Sequence, residues 1–188
     1  TTRRKQSLTV EGITYRFVTL SQPKFIGFST VQLPDGAVQV AEREKAISDG
    51  FDHPEYCGGV IQAAKGLWFG SDELDFARLV EYGQRLGNRA AMCRLGFWME
   101  RLEVGEPTLL RGLATSENRN DARLDPGGPD EGPKDARWRL IVNVPERQLL
   151  EWREHWCDHQ GRRVRLSFGG DVRRHFAFWI PYGHCFVA

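Results

Sequence analysis

Long apolar runs are missing from this chain. No stretch approaches the ~20 residues that a membrane-spanning helix needs, and no signal-like apolar segment opens the sequence. A membrane anchor is therefore not expected, and the chain reads as cytoplasmic. Cysteine is scarce as well: Cys57, Cys93, Cys157 and Cys185 are the four in 188 residues, and no two form a CxxC pair. That spacing argues against a disulfide framework or a zinc ribbon and for reduced thiols. An excess of one charge sign is also absent, because the formal net charge is only +1. Any nucleic-acid contact must then come from local patches. A Gly-x-Ser-x-Gly elbow and a phosphate loop ending in Gly-Lys-Ser/Thr are both lacking.

What remains is an ordinary globular balance, 40% hydrophobic and 27% charged. The length suits one packed domain over 1–143 with an appended segment over 144–188. The densest information lies in 38–67, read as a helix–turn–helix layer at the centre of the core. Ala41, Ala46, Ile47 and Phe51 recur at helical spacing, while Glu42, Arg43, Glu44, Lys45 and Asp49 fill the positions between. A helix face carrying both signs is expected to be a solvated face. Pro54 stops this helix, because its ring disfavours helical backbone at His53. Gly58-Gly59 then relax the backbone before a second helix carrying Val60, Ile61, Ala63, Ala64 and Leu67, with Lys65 on the wet side.

Before this layer, Leu8, Val10, Ile13, Tyr15, Phe17 and Leu20 describe two extended runs bent at Glu11-Gly12. Further strands are expected at 25–33 and up to Val40, giving an antiparallel sheet of about four strands. After it, Ser71 has the chemistry of an N-cap for a helix through Tyr82, and Gly87-Asn88 permits a break before a buried helix over 90–102. Residues 116–134 hold three Gly and three Pro and almost no large apolar side chain, which predicts a mobile loop outside the core. Trp138, Leu140 and Val142 alternate as a strand returning to the sheet. An amphipathic helix after Pro145 presents Leu149, Leu150, Trp152 and Trp156 along one exposed side, and 164–187 reads as a β-hairpin. The fold class expected is α+β: a mostly antiparallel sheet covered by helices, with a C-terminal helix plus β-hairpin addition.

The chemistry-bearing residues are few. His155 and His159, four apart, could share a metal on one helix face, with a third ligand from Asp171, His175, His184 or Cys185. Ordinary surface histidines explain them more simply, so no metal and no cofactor is expected. Catalysis finds no nucleophile and base in a recognisable pattern, and the chain is read as no enzyme. The arginines are a stronger signal. Within 161–188, Arg162, Arg163, Arg165, Arg173 and Arg174 stand against the single acid Asp171. They form a candidate phosphate-contacting patch together with Arg3, Arg4 and Lys5 at the opening of the chain. The plainer reading of the opening is a frayed, solvated terminus.

The run from Ala41 to Leu67 resembles the signature of the AbiEi family, the antitoxin and transcriptional-regulator half of type IV toxin–antitoxin systems. Glu44-Lys45, Asp49, Pro54-Glu55-Tyr56 and Gly58-Gly59 match, and His53 stands where that family often has Arg. The similarity extends to Tyr15-Arg16-Phe17, Lys24 to Gly27, Tyr82 to Leu95 and Trp138 to Asn143, so it covers roughly residues 8–143. It implies the family's C-terminal, antitoxin domain, which represses its own operon and counters a nucleotidyltransferase-like toxin in bacterial phage defence. Its expected partners are promoter DNA and, functionally, the cognate toxin. Base reading would fall to a winged helix-turn-helix domain that precedes this region in the family and is not contained in this sequence. Two other readings stand beside it. One is a protein-interaction or self-association module without DNA contact, built on Trp152, Trp156, Phe176, Phe178 and Trp179. The other is a small metal-dependent hydrolase or nuclease, which would need a divalent-ion site.

Overall fold

The computed structural model describes residues 1–34, 36–114 and 120–157. The hairpin expected over 164–187 lies outside the described residues. The fold is α+β. Two N-terminal hairpins, β1 (Leu8–Val10) with β2 (Ile13–Tyr15) and β3 (Phe28–Leu33) with β4 (Gly36–Ala41), precede the helices α1 (Arg43–Asp52), α2 (Val60–Gly70), α3 (Phe76–Leu86), α4 (Arg89–Arg101) and α5 (Pro107–Ala114). The short strands β5 (Ala122–Arg123), β6 (Lys134–Asp135) and β7 (Leu140–Ile141) follow, and α6 (Glu146–Glu154) comes last among the described elements.

The single covered sheet is the main correction to the sequence reading. Each N-terminal hairpin is a separate two-stranded antiparallel sheet, and no described residue before Glu44 is fully buried. The third sheet is mixed: β7 lies between β5, which runs parallel to it, and β6, which runs antiparallel. Trp138 to Val142 therefore does not return to the N-terminal strands. The core is built by helices on helices. Ile47 and Phe51 of α1, Ala63, Ala64 and Leu67 of α2, Leu79 of α3 and Leu95 and Trp98 of α4 are at most 1% exposed. The apolar side chains of the two hairpins alternate along strands only three to six residues long, too short to cover that body and too few to form a core.

Local rules explain the helix boundaries. Glu11 and Gly12 both take positive φ at the tip of the first hairpin, as a tight turn between strands requires. Between α1 and α2, Pro54 opens a single 3-10 turn, and Gly58 and Gly59 at φ +88° and +100° reverse the chain. Ser71 does not cap α3. It follows the end of α2 and donates to Trp68 O at 3.1 Å, while Asp75 accepts from the backbone N–H of Arg78 at 3.1 Å and is the true cap. The break at 87–88 has the expected form, with Gly87 left-handed and Asn88 accepting from the N–H groups of Ala90 and Ala91.

The stretch expected as a mobile loop is tied into the fold over 120–134. Leu124 is fully buried. One side chain orders the turn that follows it: Asn143 donates to Asp125 O at 2.8 Å and Pro129 O at 2.7 Å and accepts from the Asp125 N–H at 2.8 Å. Three partly buried hydrogen bonds from one amide replace the apolar contacts that the Gly- and Pro-rich composition cannot supply. The aromatic side of α6 is likewise not open. Leu149 is fully buried, Trp152 lies edge-on to Trp68 at 5.4 Å between ring centroids, and Trp156 lies edge-on to Phe69 at 5.3 Å.

Candidate functional site

The charged residues of α1 converge on the molecule's interior rather than on solvent. Lys45 is fully buried, and its ammonium donates to both carboxylate oxygens of Asp49 at 2.5 Å. Burial pushes the Asp49 carboxyl up from its ordinary value, against the pull of Lys45. Glu44, 7% exposed, accepts from the Asp75 N–H at 2.9 Å and so holds the start of α3. Asp52, 6% exposed, accepts from the Asn88 amide at 2.5 Å and from Lys24 at 3.4 Å, with His53 Nε2 at 3.7 Å. The expectation of a solvated mixed-charge face is thus wrong for Glu44 and Lys45. Their partners, and those of Asp52, come from elements 28 to 36 residues away, or from one turn along the helix, and each buried charge is matched.

Two further contacts seat the second hairpin on this seam. Gly27, at φ +72°, lets the backbone pass so close that a Cβ there would lie 2.9 Å from Lys45 Cβ and 3.0 Å from Tyr82 Cζ. The Tyr82 hydroxyl donates to Glu42 at 2.6 Å. Burial, with the adjoining Glu42 carboxylate, pushes the Tyr82 phenol up to about 12. A folded pKa above the unfolded one means that this contribution is complete below pH ~10 and is lost as pH climbs toward 12. In an absorbance pH-jump titration of the four tyrosines, one phenolate should lag near pH 12 and disappear in Tyr82→Phe. A titration with no lagging component would contradict this hydrogen bond.

The predicted phosphate contacts divide into two groups. Arg162, Arg163, Arg165, Arg173 and Arg174 lie outside the described residues, as do His159 and Cys185. Arg3, Arg4 and Lys5 are exposed, and the chain is tied at Thr1. The Leu20 N–H donates to Thr1 O at 2.9 Å, the Arg3 N–H to Thr1 Oγ1 at 3.3 Å, and Lys5 sits 5.3 Å above the Phe17 ring. Arg16, exposed like Lys5, immediately precedes the Phe17 whose ring Lys5 covers. Residues 1–27 carry five bases against the single acid Glu11, and of these bases Lys24 is committed to Asp52. Arg3, Arg4, Lys5 and Arg16 are each exposed to solvent.

Elsewhere the chemistry is sparse. Among the described residues no three His, Cys, Asp or Glu side chains gather as a metal cluster. Burial pushes the Cys57 thiol up to about 12, far from the reactive thiolate form. A cavity of about 310 Å³ opens beside the start of α4, where Arg89 is the one charged residue in a lining that includes Gly87, Asn88 and Met92. No described helix is long and apolar enough to cross a membrane. No protein-family model, curated protein or solved structure matches the chain.

Proposed function

We propose that this chain is an AbiEi-type antitoxin and transcriptional autoregulator, which counters a nucleotidyltransferase-like toxin and assists binding to the promoter of its own operon. The observation that carries this reading is the convergence of the resembling residues. Glu44, Lys45, Asp49, Pro54, Gly58 and Gly59, adjacent in the sequence motif, hold one helix–turn–helix hub whose buried charges are spent on internal partners. The basic opening of the chain, in contrast, faces outward. Phosphate contacts of that kind position a protein on DNA without reading bases, which fits an assisting role.

The test is a fluorescence-anisotropy salt titration with promoter duplex. Log K should fall with log salt by about 0.9 per phosphate neutralised, and Arg3→Ala/Arg4→Ala/Lys5→Ala should flatten the slope by about three units with sequence preference unchanged. Co-expression with the cognate toxin should restore growth. An unchanged slope removes the DNA role of this arm, and failed rescue removes the antitoxin role. The reading as an interaction module loses Trp152 and Trp156, which pack on Trp68 and Phe69, and its Phe176, Phe178 and Trp179 lie outside the described residues.

A further inference from the structure

We propose that β4 is a two-fold pairing edge, through which two copies of this chain join antiparallel about Gln39. This stands independently of the functional reading. The β3–β4 hairpin pairs residue for residue from Phe28↔Ala41 to Leu33↔Gly36, without a bulge. Its twelve strand residues include no charged side chain and no proline. Exposed edges of folded proteins are ordinarily protected by charges, prolines or bulges, so an edge lacking all three is one that pairs.

The phase of the ladder identifies which backbone groups are free to do so. The Glu42 N–H donates to Gly27 O at 2.8 Å, one step beyond the Phe28↔Ala41 pair. Antiparallel pairs alternate between bonded and non-bonded. The Ser29↔Val40, Val31↔Val38 and Leu33↔Gly36 pairs therefore bond within the hairpin, and Ala37, Gln39 and Ala41 turn their N–H and C=O groups to the outer edge. Among the described residues nothing accepts or donates across that edge.

Residues 37–41, Ala-Val-Gln-Val-Ala, read the same in both directions. Antiparallel pairing about Gln39 sets Ala37 against Ala41 of the second copy, Val38 against Val40, and Gln39 against itself. The three outward positions of one strand then meet the three of the other, and about six backbone hydrogen bonds close the seam. An isologous interface must be complementary to itself, and a strand without charge meets its copy with no repulsion. On one face, Val31, Leu33, Val38 and Val40 of each copy become one apolar surface of a four-stranded sheet; Leu33 and Val38 are 41% and 38% exposed in the single chain. Four strands with a common apolar face gain the stability that an isolated hairpin lacks. A strand from an unrelated partner would require no palindrome.

Sedimentation velocity on the full chain should show a concentration-dependent dimer. Gln39→Lys, which places two ammonium groups at the axis, should raise the dimer dissociation constant at least about tenfold with an unchanged circular dichroism spectrum. Under mild oxidation Gln39→Cys should give a covalent dimer beyond that of the parent, since a bonded pair has its Cα atoms about 5.5 Å apart, within disulfide reach. Ala37→Cys, which faces Ala41, should not. A parent that stays monomeric overturns the proposal, and so does a dimer indifferent to Gln39→Lys. Equal crosslinking through Ala37→Cys and Gln39→Cys overturns the register and with it the two-fold axis.

Discussion

Gly96→Ala is expected to destabilise the protein by about 3 kcal/mol, although the same change in an exposed helix would stabilise it by about 1 kcal/mol. Gly96 lies in the middle of α4, where glycine is normally a cost. A Cβ added there would stand 2.0 Å from Trp138 Cζ3 and 2.4 Å from Cη2. The indole is 1% exposed and cannot swing away. Its Nε1–H donates to Glu100, one turn further along the same helix face, and its backbone N–H donates to Asp135 Oδ1 at 2.8 Å. The ring therefore lies along a groove cut by the missing side chain. Trp138→Ala should cost about 3–5 kcal/mol by emptying the groove. The two changes share one space, so Gly96→Ala should cost much less in a Trp138→Leu background than in the parent. Urea denaturation of the four proteins measures this, and additive costs would show that the contact does not govern α4.

How much of this was legible follows from where each signal resides. The helices of 43–101 could be read because their apolar spacing, prolines and glycines act within a few positions, whereas the cap of α3 was misplaced from Asp75 to Ser71. The tip at Glu11-Gly12 and the break at Gly87-Asn88 are local in the same sense. The charges of α1 were misread because burial is decided by distant partners. Nothing near Glu44 in sequence indicates that it meets the Asp75 N–H, and nothing near Asp52 indicates Asn88. Residues 120–134 show the opposite failure, since composition describes their lack of apolar bulk and is silent about a single asparagine 18 residues past Asp125. Of the candidate phosphate contacts, Arg3, Arg4 and Lys5 were visible as a charge run. Arg16, exposed as they are, stands outside that charge run, next to the Phe17 that Lys5 covers. The palindrome of β4 was in plain view, but it acquires meaning only once the ladder shows that Ala37, Gln39 and Ala41 face the free edge.

The residue that sequence reasoning passed over entirely is Arg94, and its replacement should have the other large effect. It sits among Ala91, Cys93, Leu95 and Phe97 and is itself 6% exposed. Its Nη1 donates to Phe51 O at 3.2 Å and its Nε to Arg123 O at 3.0 Å, so one guanidinium joins the last turn of α1 to β5. Burial lowers its pKa, and the nearby Asp52, Glu55 and Asp125 carboxylates oppose that shift. A guanidinium remains charged in spite of burial, because its ordinary pKa lies above ~12. Arg94→Met keeps the apolar stem but strands two carbonyls that the charge had satisfied. At about 1.5–3 kcal/mol for each hydrogen bond from a charged group, the expected loss is about 4 kcal/mol. Arg94→Lys retains the charge but cannot fork between two carbonyls, so it should fall between the parent and Arg94→Met. Asp52 is the first of the acids that favour the charged form. Asp52→Ala should therefore cost less when Arg94 is already methionine, and a double-mutant cycle in urea reads that coupling directly. Hydrogen exchange adds a spatial test, since loss of Arg94 should free the amides of β5 before those of α2. If Arg94→Met unfolds at the parental urea midpoint, the clamp between α1 and β5 does not exist.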